Sequence, residues 1–240
     1  MLFRKLVAFF VIAISGVIGA ARANEFEFDT SDPLYMMDRK DILSESTVTY
    51  YDSVLRIGQG LGYGITERLS ASANIHYQND FAGDEDGFSS FDLGGRYRLA
   101  RAGDNEYRII TDVLLGLKVG GSSHVRTPWF ADSTYYAGLR FGRQWAGMTL
   151  SGTIKSSWIF DDERGMSYID FVPEAYFRIA PDWRAGIDFD WRKATNPDYD
   201  QEWLNLKLIR QYGRTQYIGT VGFEFEEGEL EAGFKLNVLF

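Results

Sequence analysis

Leu69-Ser70-Ala71-Ser72-Ala73-Asn74-Ile75-His76-Tyr77-Gln78 alternates apolar and polar side chains along its whole length. Successive side chains of a strand point to opposite faces, so the run predicts a strand with one apolar and one wet face. Working outward, the same alternation returns over 91–99, 107–118, 134–141, 148–160, 169–179, 183–192, 204–208, 217–226 and 230–240. Residues 54–65 carry Leu55, Ile57, Leu61, Tyr63 and Ile65 on one face and Gly58, Gly60, Gly62 and Gly64 on the other, and a weaker strand covers 43–51. The expectation is twelve strands. Many reach the roughly 9–11 residues that a tilted membrane strand needs, against about 5–6 for soluble strands.

Composition narrows the class. A chain of 240 residues with 45% hydrophobic content is too apolar to be disordered. Without Cys it has no disulfide framework, thiolate metal site or lipid-bearing N-terminal Cys. A net charge of −9 argues against general nucleic-acid binding. The one long apolar run lies in residues 1–23, with basic Arg4 and Lys5, an apolar stretch from Leu6 to Ala20, and the small-x-small pattern Ala21-Arg22-Ala23. This reads as a secretory signal peptide with Asn24 as the first mature residue; an uncleaved anchor would need a longer run. An exported chain of this size without Cys points to a bacterial envelope.

The connections differ by side. Thr66-Glu67-Arg68, Ala180-Pro181-Asp182 and Tyr212-Gly213-Arg214 are short, with 100–105 and 143–147 somewhat longer. Between them come the longer polar stretches 79–89, 119–132, 161–167 and 193–201, with tight exceptions near Asp52 and Glu227-Gly228. Short periplasmic turns and longer outer loops are the pattern of transmembrane β-barrels. Aromatic placement says which face meets lipid. Tyr97, Tyr107, Phe141, Phe177, Trp183, Tyr217 and Phe240 fall at the short-turn end of the apolar face. Tyr77, Phe91, Tyr135, Trp158, Phe160, Phe189, Trp191 and Phe225 fall at the loop end. Two aromatic girdles around an aliphatic band fit the two lipid–water interfaces; a soluble barrel's core has no reason to sort aromatics this way. The fold class expected is all-β: one antiparallel transmembrane barrel over 42–240, after a periplasmic tail over 24–41. The alternative for that tail, which carries Phe26, Phe28, Tyr35, Met36 and Met37, is to enter the barrel from below.

The closing segment Gly233-Phe234-Lys235-Leu236-Asn237-Val238-Leu239-Phe240 resembles the terminal strand of Gram-negative outer-membrane β-barrels. That resemblance covers the mature chain at the level of architecture. It implies a cell outer-membrane location, with Phe234, Leu236, Val238 and Phe240 as the assembly signal. The implied partners are the barrel-assembly machinery, periplasmic chaperones, and membrane lipid with lipopolysaccharide.

The polar face then lines a lumen. Arg96, Arg98, Arg108, Arg140, Arg178 and Arg184 map to the short-turn half; Asp92, Asp170, Glu224, Glu226 and Glu231 map to the outer half, with Glu174 on the same face. These are the candidate pore-lining residues. Rings of charge set ion preference in pores, whereas paired charges simply fill a narrow barrel. Asp112, Glu174 and Asp188 are the carboxylates placed to neutralise the arginines. Acidic groups also mark the outer loops: Asp80, Asp84, Glu85 and Asp86; Asp161, Asp162 and Glu163; Asp198 and Asp200. They suit a cation-collecting mouth, or solvation and divalent bridging to lipopolysaccharide phosphates. For catalysis the sequence offers His76, with Ser70 and Ser72 on the same face, and His124 beside Ser122 and Ser123. Neither carries a nucleophile motif, and no metal, phosphate-loop or cofactor pattern is present. The reading is a narrow porin-like channel for small polar solutes, not an enzyme and without a cofactor. The alternatives are a lipid-modifying enzyme and a non-conducting structural or surface-contact barrel.

Overall fold

A computed structural model describes residues 29–83, 85–121, 133–160, 167–194, 200–225 and 228–240. The signal segment 1–23, His124, Glu226, Asp84, Asp161 to Glu163 and Asp198 lie outside the described residues. Twelve antiparallel strands close on themselves in sequence order, β12 pairing with β1. They are β1 (Ile42–Tyr51), β2 (Val54–Thr66), β3 (Leu69–Asp80), β4 (Glu85–Ala100), β5 (Ile110–Gly120), β6 (Thr134–Trp145), β7 (Met148–Ile159), β8 (Ser167–Ala180), β9 (Trp183–Ala194), β10 (Asp200–Tyr212), β11 (Thr215–Glu224) and β12 (Leu230–Leu239). Closure satisfies the edge groups of every strand, as hydrocarbon surroundings demand.

The expected alternation is the wall of this barrel. Mid-strand aliphatics point outward and stay exposed, among them Leu61, Ile75, Leu93, Leu115, Leu139, Ile154, Leu206 and Val221. Aromatic pairs flank them. Tyr135 stacks on Trp158 with centroids 5.1 Å apart at the outer end, and Tyr217 lies 6.5 Å from Phe234 toward the inner end. An exterior of this kind is stable only against lipid. On β12, Phe234, Leu236, Val238 and Phe240 take the outward positions of the alternation. Phe240 exchanges backbone hydrogen bonds with Ile42, so the last residue helps close the seam.

Three expectations are corrected. The stretch 79–89 is not a long loop: the β3–β4 ladder continues to Asp80↔Glu85, leaving a tight turn. Above the lipid the outward face need not be apolar, so alternation fades while the ladder persists. Asp80 is accordingly buried, and its Oδ1 accepts from the N–H groups of Ala82 and Gly83. Second, β5 begins at Ile110, not at Tyr107. Asn105 folds the preceding residues into a turn by accepting from the Ile109 N–H at 2.9 Å and donating to the Ile109 carbonyl at 2.8 Å. Third, Arg108 therefore sits in an exposed turn at φ +52° and is not in the barrel wall.

Candidate functional site

The inward register positions of the strands enclose a polar lumen, and its open part is a cavity of about 690 Å³. Basic side chains on that lining are Arg56, Arg96, Lys118, Arg140, Lys155 and Arg192; the carboxylates are Glu45, Asp92 and Glu174. Tyr136 supplies an aromatic wall. Its ring lies so close to Gly116 that a Cβ there would stand 2.3 Å from it, so a larger residue at that position would push the ring aside.

Most of the charges are paired across neighbouring strands. Asp170 on β8 receives Nε of Arg192 and Nζ of Lys155, the latter at 2.9 Å. Lys207 bridges Glu174 at 3.0 Å and Asp188 at 2.7 Å. Lys235 pairs with Glu45. His76 Nε2 meets Asp92 at 3.0 Å, while its Nδ1 has no hydrogen-bond partner among the described residues. Near the outer end a smaller pocket of about 180 Å³ is bounded by Tyr51, Arg56, Asp190, Arg192, Trp203 and Glu231. Among the described residues the outer half mixes both signs, and most of the acidic loop positions expected at the mouth lie outside them. Glu224 is buried there.

The inner half is filled by the chain itself. Residues 29–38 enter the barrel from below and cross it. Asp29 accepts from Arg184 Nε at 3.1 Å, the Tyr176 hydroxyl at 2.6 Å, Gln216 Nε2 at 2.7 Å and Ser31 Oγ at 2.7 Å. Asp32 accepts from the Thr149 hydroxyl at 2.6 Å and Gln144 Nε2 at 3.1 Å. Burial holds the Asp32 carboxyl above the usual carboxylate range, and those hydrogen bonds pull it partly back. The arginines grip the tail's backbone. Arg96 donates to the carbonyls of Tyr35 at 2.7 Å and Pro33 at 3.1 Å, Arg140 to that of Pro33 at 2.9 Å, and Arg98 to that of Leu34 at 2.6 Å.

The predicted arginines therefore separate. Arg96 and Arg98 share Asp112, which is fully buried, and together with Arg140 they hold the tail. Arg184 is almost completely buried under Asp29. Arg178 lies at the inner rim, where it reaches the Pro181 carbonyl at 3.5 Å. Of the carboxylates expected to neutralise this group, Asp112 does so, while Glu174 and Asp188 serve Lys207 instead. Reading the sequence missed Arg56, which is in phase with Gly58 and so on the wet face, and also Glu45, Tyr51, Trp203 and Asp29.

No family model matches the chain, and no curated protein matches it. Solved structures do. The KdgM porin aligns with a TM-score of 0.59 at 11% identity, covering 82% of this chain and 98% of its own. The NanC porin aligns at 0.62 with 8% identity, covering 83% and 98%. An outer membrane channel from Pseudomonas putida F1 aligns at 0.57 with 11% identity, covering 89% and 100%. At such identities the likeness is one of fold: this chain has the closed β-barrel fold of the outer-membrane porins.

Proposed function

We propose that the protein is an outer-membrane channel that passes small polar solutes, with a preference for anions. The observation that carries this is the polar cavity within the lumen. Its lining presents six cations, Arg56, Arg96, Lys118, Arg140, Lys155 and Arg192, against the three carboxylates Glu45, Asp92 and Glu174, while Asp112 and Asp170, buried behind the surface, pair with Arg96, Lys155 and Arg192 and leave a smaller positive excess. In a wall of low dielectric such an excess favours a passing anion. The fold shared with the porins supports the reading. One of them was solved with oligogalacturonate, itself an acidic chain of sugars. The lipid-modifying alternative is disfavoured by His76, which faces the lumen beside Asp92 and away from the lipid wall. The outward face of β12 supports recognition of its end by the assembly machinery, and the apolar exterior supports lipid and lipopolysaccharide as its surroundings. Liposome swelling tests the channel reading. Vesicles holding the folded protein, native or with the lumen segment displaced by Gly64→Ala, should swell in small sugars and sugar acids, faster for the acids; failure of both forms to swell in any of them would refute it.

A further inference from the structure

The segment that fills the inner half of the lumen is placed as an occupant rather than as wall. β2 and β8 face each other across the ring of strands. The tail touches both: Asp29 receives the Tyr176 hydroxyl of β8, while Asp38 lies against Gly64 of β2. A strand lining the wall would meet adjacent strands only; this segment spans the diameter. Leu34, at its middle, is 1% exposed, although it belongs to no strand.

The wall is shaped to receive it. A Cβ on Gly64 would stand 1.8 Å from the Asp38 carbonyl oxygen, and one on Gly62 would stand 2.9 Å from the end of Met37. Glycine at Gly64 leaves the width of a backbone, which the strand itself does not require. The donors that meet the tail are likewise wall side chains whose partners are tail carbonyls. Arg96 and Arg98 share one carboxylate of the wall, Asp112, and together with Arg140 they donate to the neutral carbonyls of Pro33, Leu34 and Tyr35. Such a cluster binds an extended peptide through its main chain, and nothing in it ties the peptide covalently.

We propose that the inner half of the lumen is a peptide-binding site occupied in cis by residues 29–38, so that the channel is closed at its periplasmic end until the tail leaves. The proposal rests on the channel reading and adds its control. The cavity above the tail, floored by Met37, is then a vestibule, and release of Asp29 from Arg184 and Tyr176 joins it to the periplasm.

Two variants of the full chain test this. Asp29→Ala removes the carboxylate anchor. Gly64→Ala alters none of the side chains that hold the tail but sets a methyl group into the tail's backbone, and it serves where Asp29→Ala lowers folded yield. In planar bilayers each should conduct several-fold more than the native protein, and a free peptide of residues 29–38 added from the inner side should block the difference. Equal conductance in native and variant proteins would overturn the plug and leave the channel standing; absence of conduction in all of them would overturn both. A second measurement does not depend on conduction. The chain has no native Cys, so Leu34→Cys should resist a membrane-impermeant maleimide in the native background and react many-fold faster with Gly64→Ala added. Rapid labelling in the native background would overturn the plug whatever the bilayers show.

Discussion

Asp112 on β5, fully buried, and Arg98 on β4 form a buried ion pair, Nε to Oδ1 at 2.8 Å, at the level where the barrel grips its own tail. Arg96 shares the same carboxylate. Asp112 thus decides both the stability of the inner wall and the posture of the arginines that hold residues 33–35. Removing one partner of such a pair strands the others in a dry place and typically costs about 3–5 kcal/mol. Asp112→Ala should therefore lower the urea midpoint of the barrel in lipid vesicles by far more than Asp182→Ala, made in an exposed inner turn. Equal midpoints would mean the cluster is not dry.

The in–out register is tested by arginine placement. Leu115 is mid-strand, outward and 57% exposed, whereas Thr153 lines the cavity and accepts from Arg140 at 2.9 Å. Arginine near the bilayer midplane costs about 2–4 kcal/mol. Leu115→Arg should sharply reduce folded yield in vesicles, and Thr153→Arg should leave most of it. The opposite order would reverse the faces assigned to every strand.

Orientation follows from the links between strands. Gly83 lies in the β3–β4 turn at one end and Asp182 in the β8–β9 turn at the other. With Cys introduced singly, Gly83→Cys should label on intact cells and Asp182→Cys only after the outer membrane is opened.

Ion preference should answer to the cavity rather than to the rim. Lys118 and Lys155 line it; Arg178 does not. Joint replacement of both lysines by Gln should move the reversal potential toward cations, most clearly at low salt, because screening reaches about 10 Å at 0.1 M. Arg178→Gln should leave the reversal potential in place. Asp170 keeps Arg192 in the double variant, so the wall survives the change.

The terminal residue carries assembly. Phe240 is exposed to the lipid side and joined to Ile42 across the seam. Its deletion should slow insertion and leave unfolded chain in the periplasm. Full heat-modifiable protein in the membrane would contradict this.

Much of the wall was legible because lipid imposes alternation: Leu115 against Asp112 is readable from the chain alone. Legibility stopped where lipid stops. Asp80 and Asp86 sit on strands that rise beyond the bilayer, so nothing in their polarity marks a ladder. Arg108 was misplaced because Tyr107 and Ile109 continue the alternation that Asn105 bends into a turn. The grip on the tail was hidden for a different reason. Arg96, Arg98 and Arg140 hold backbone carbonyls, which every residue carries and no residue letter announces. Gly64 was visible as a glycine in phase with Gly58, but what fills its space is the backbone of Asp38, just before β1, and no residue letter announces that this segment turns into the lumen.

Single-channel recording of the purified, folded native protein and of Gly64→Ala across a salt gradient separates a plugged channel from a solid barrel. Stepwise conductance should be rare or small in the native protein and large in Gly64→Ala, with a reversal potential on the anion side. Folded protein in the bilayer that shows no conductance steps in either form would contradict the plugged channel.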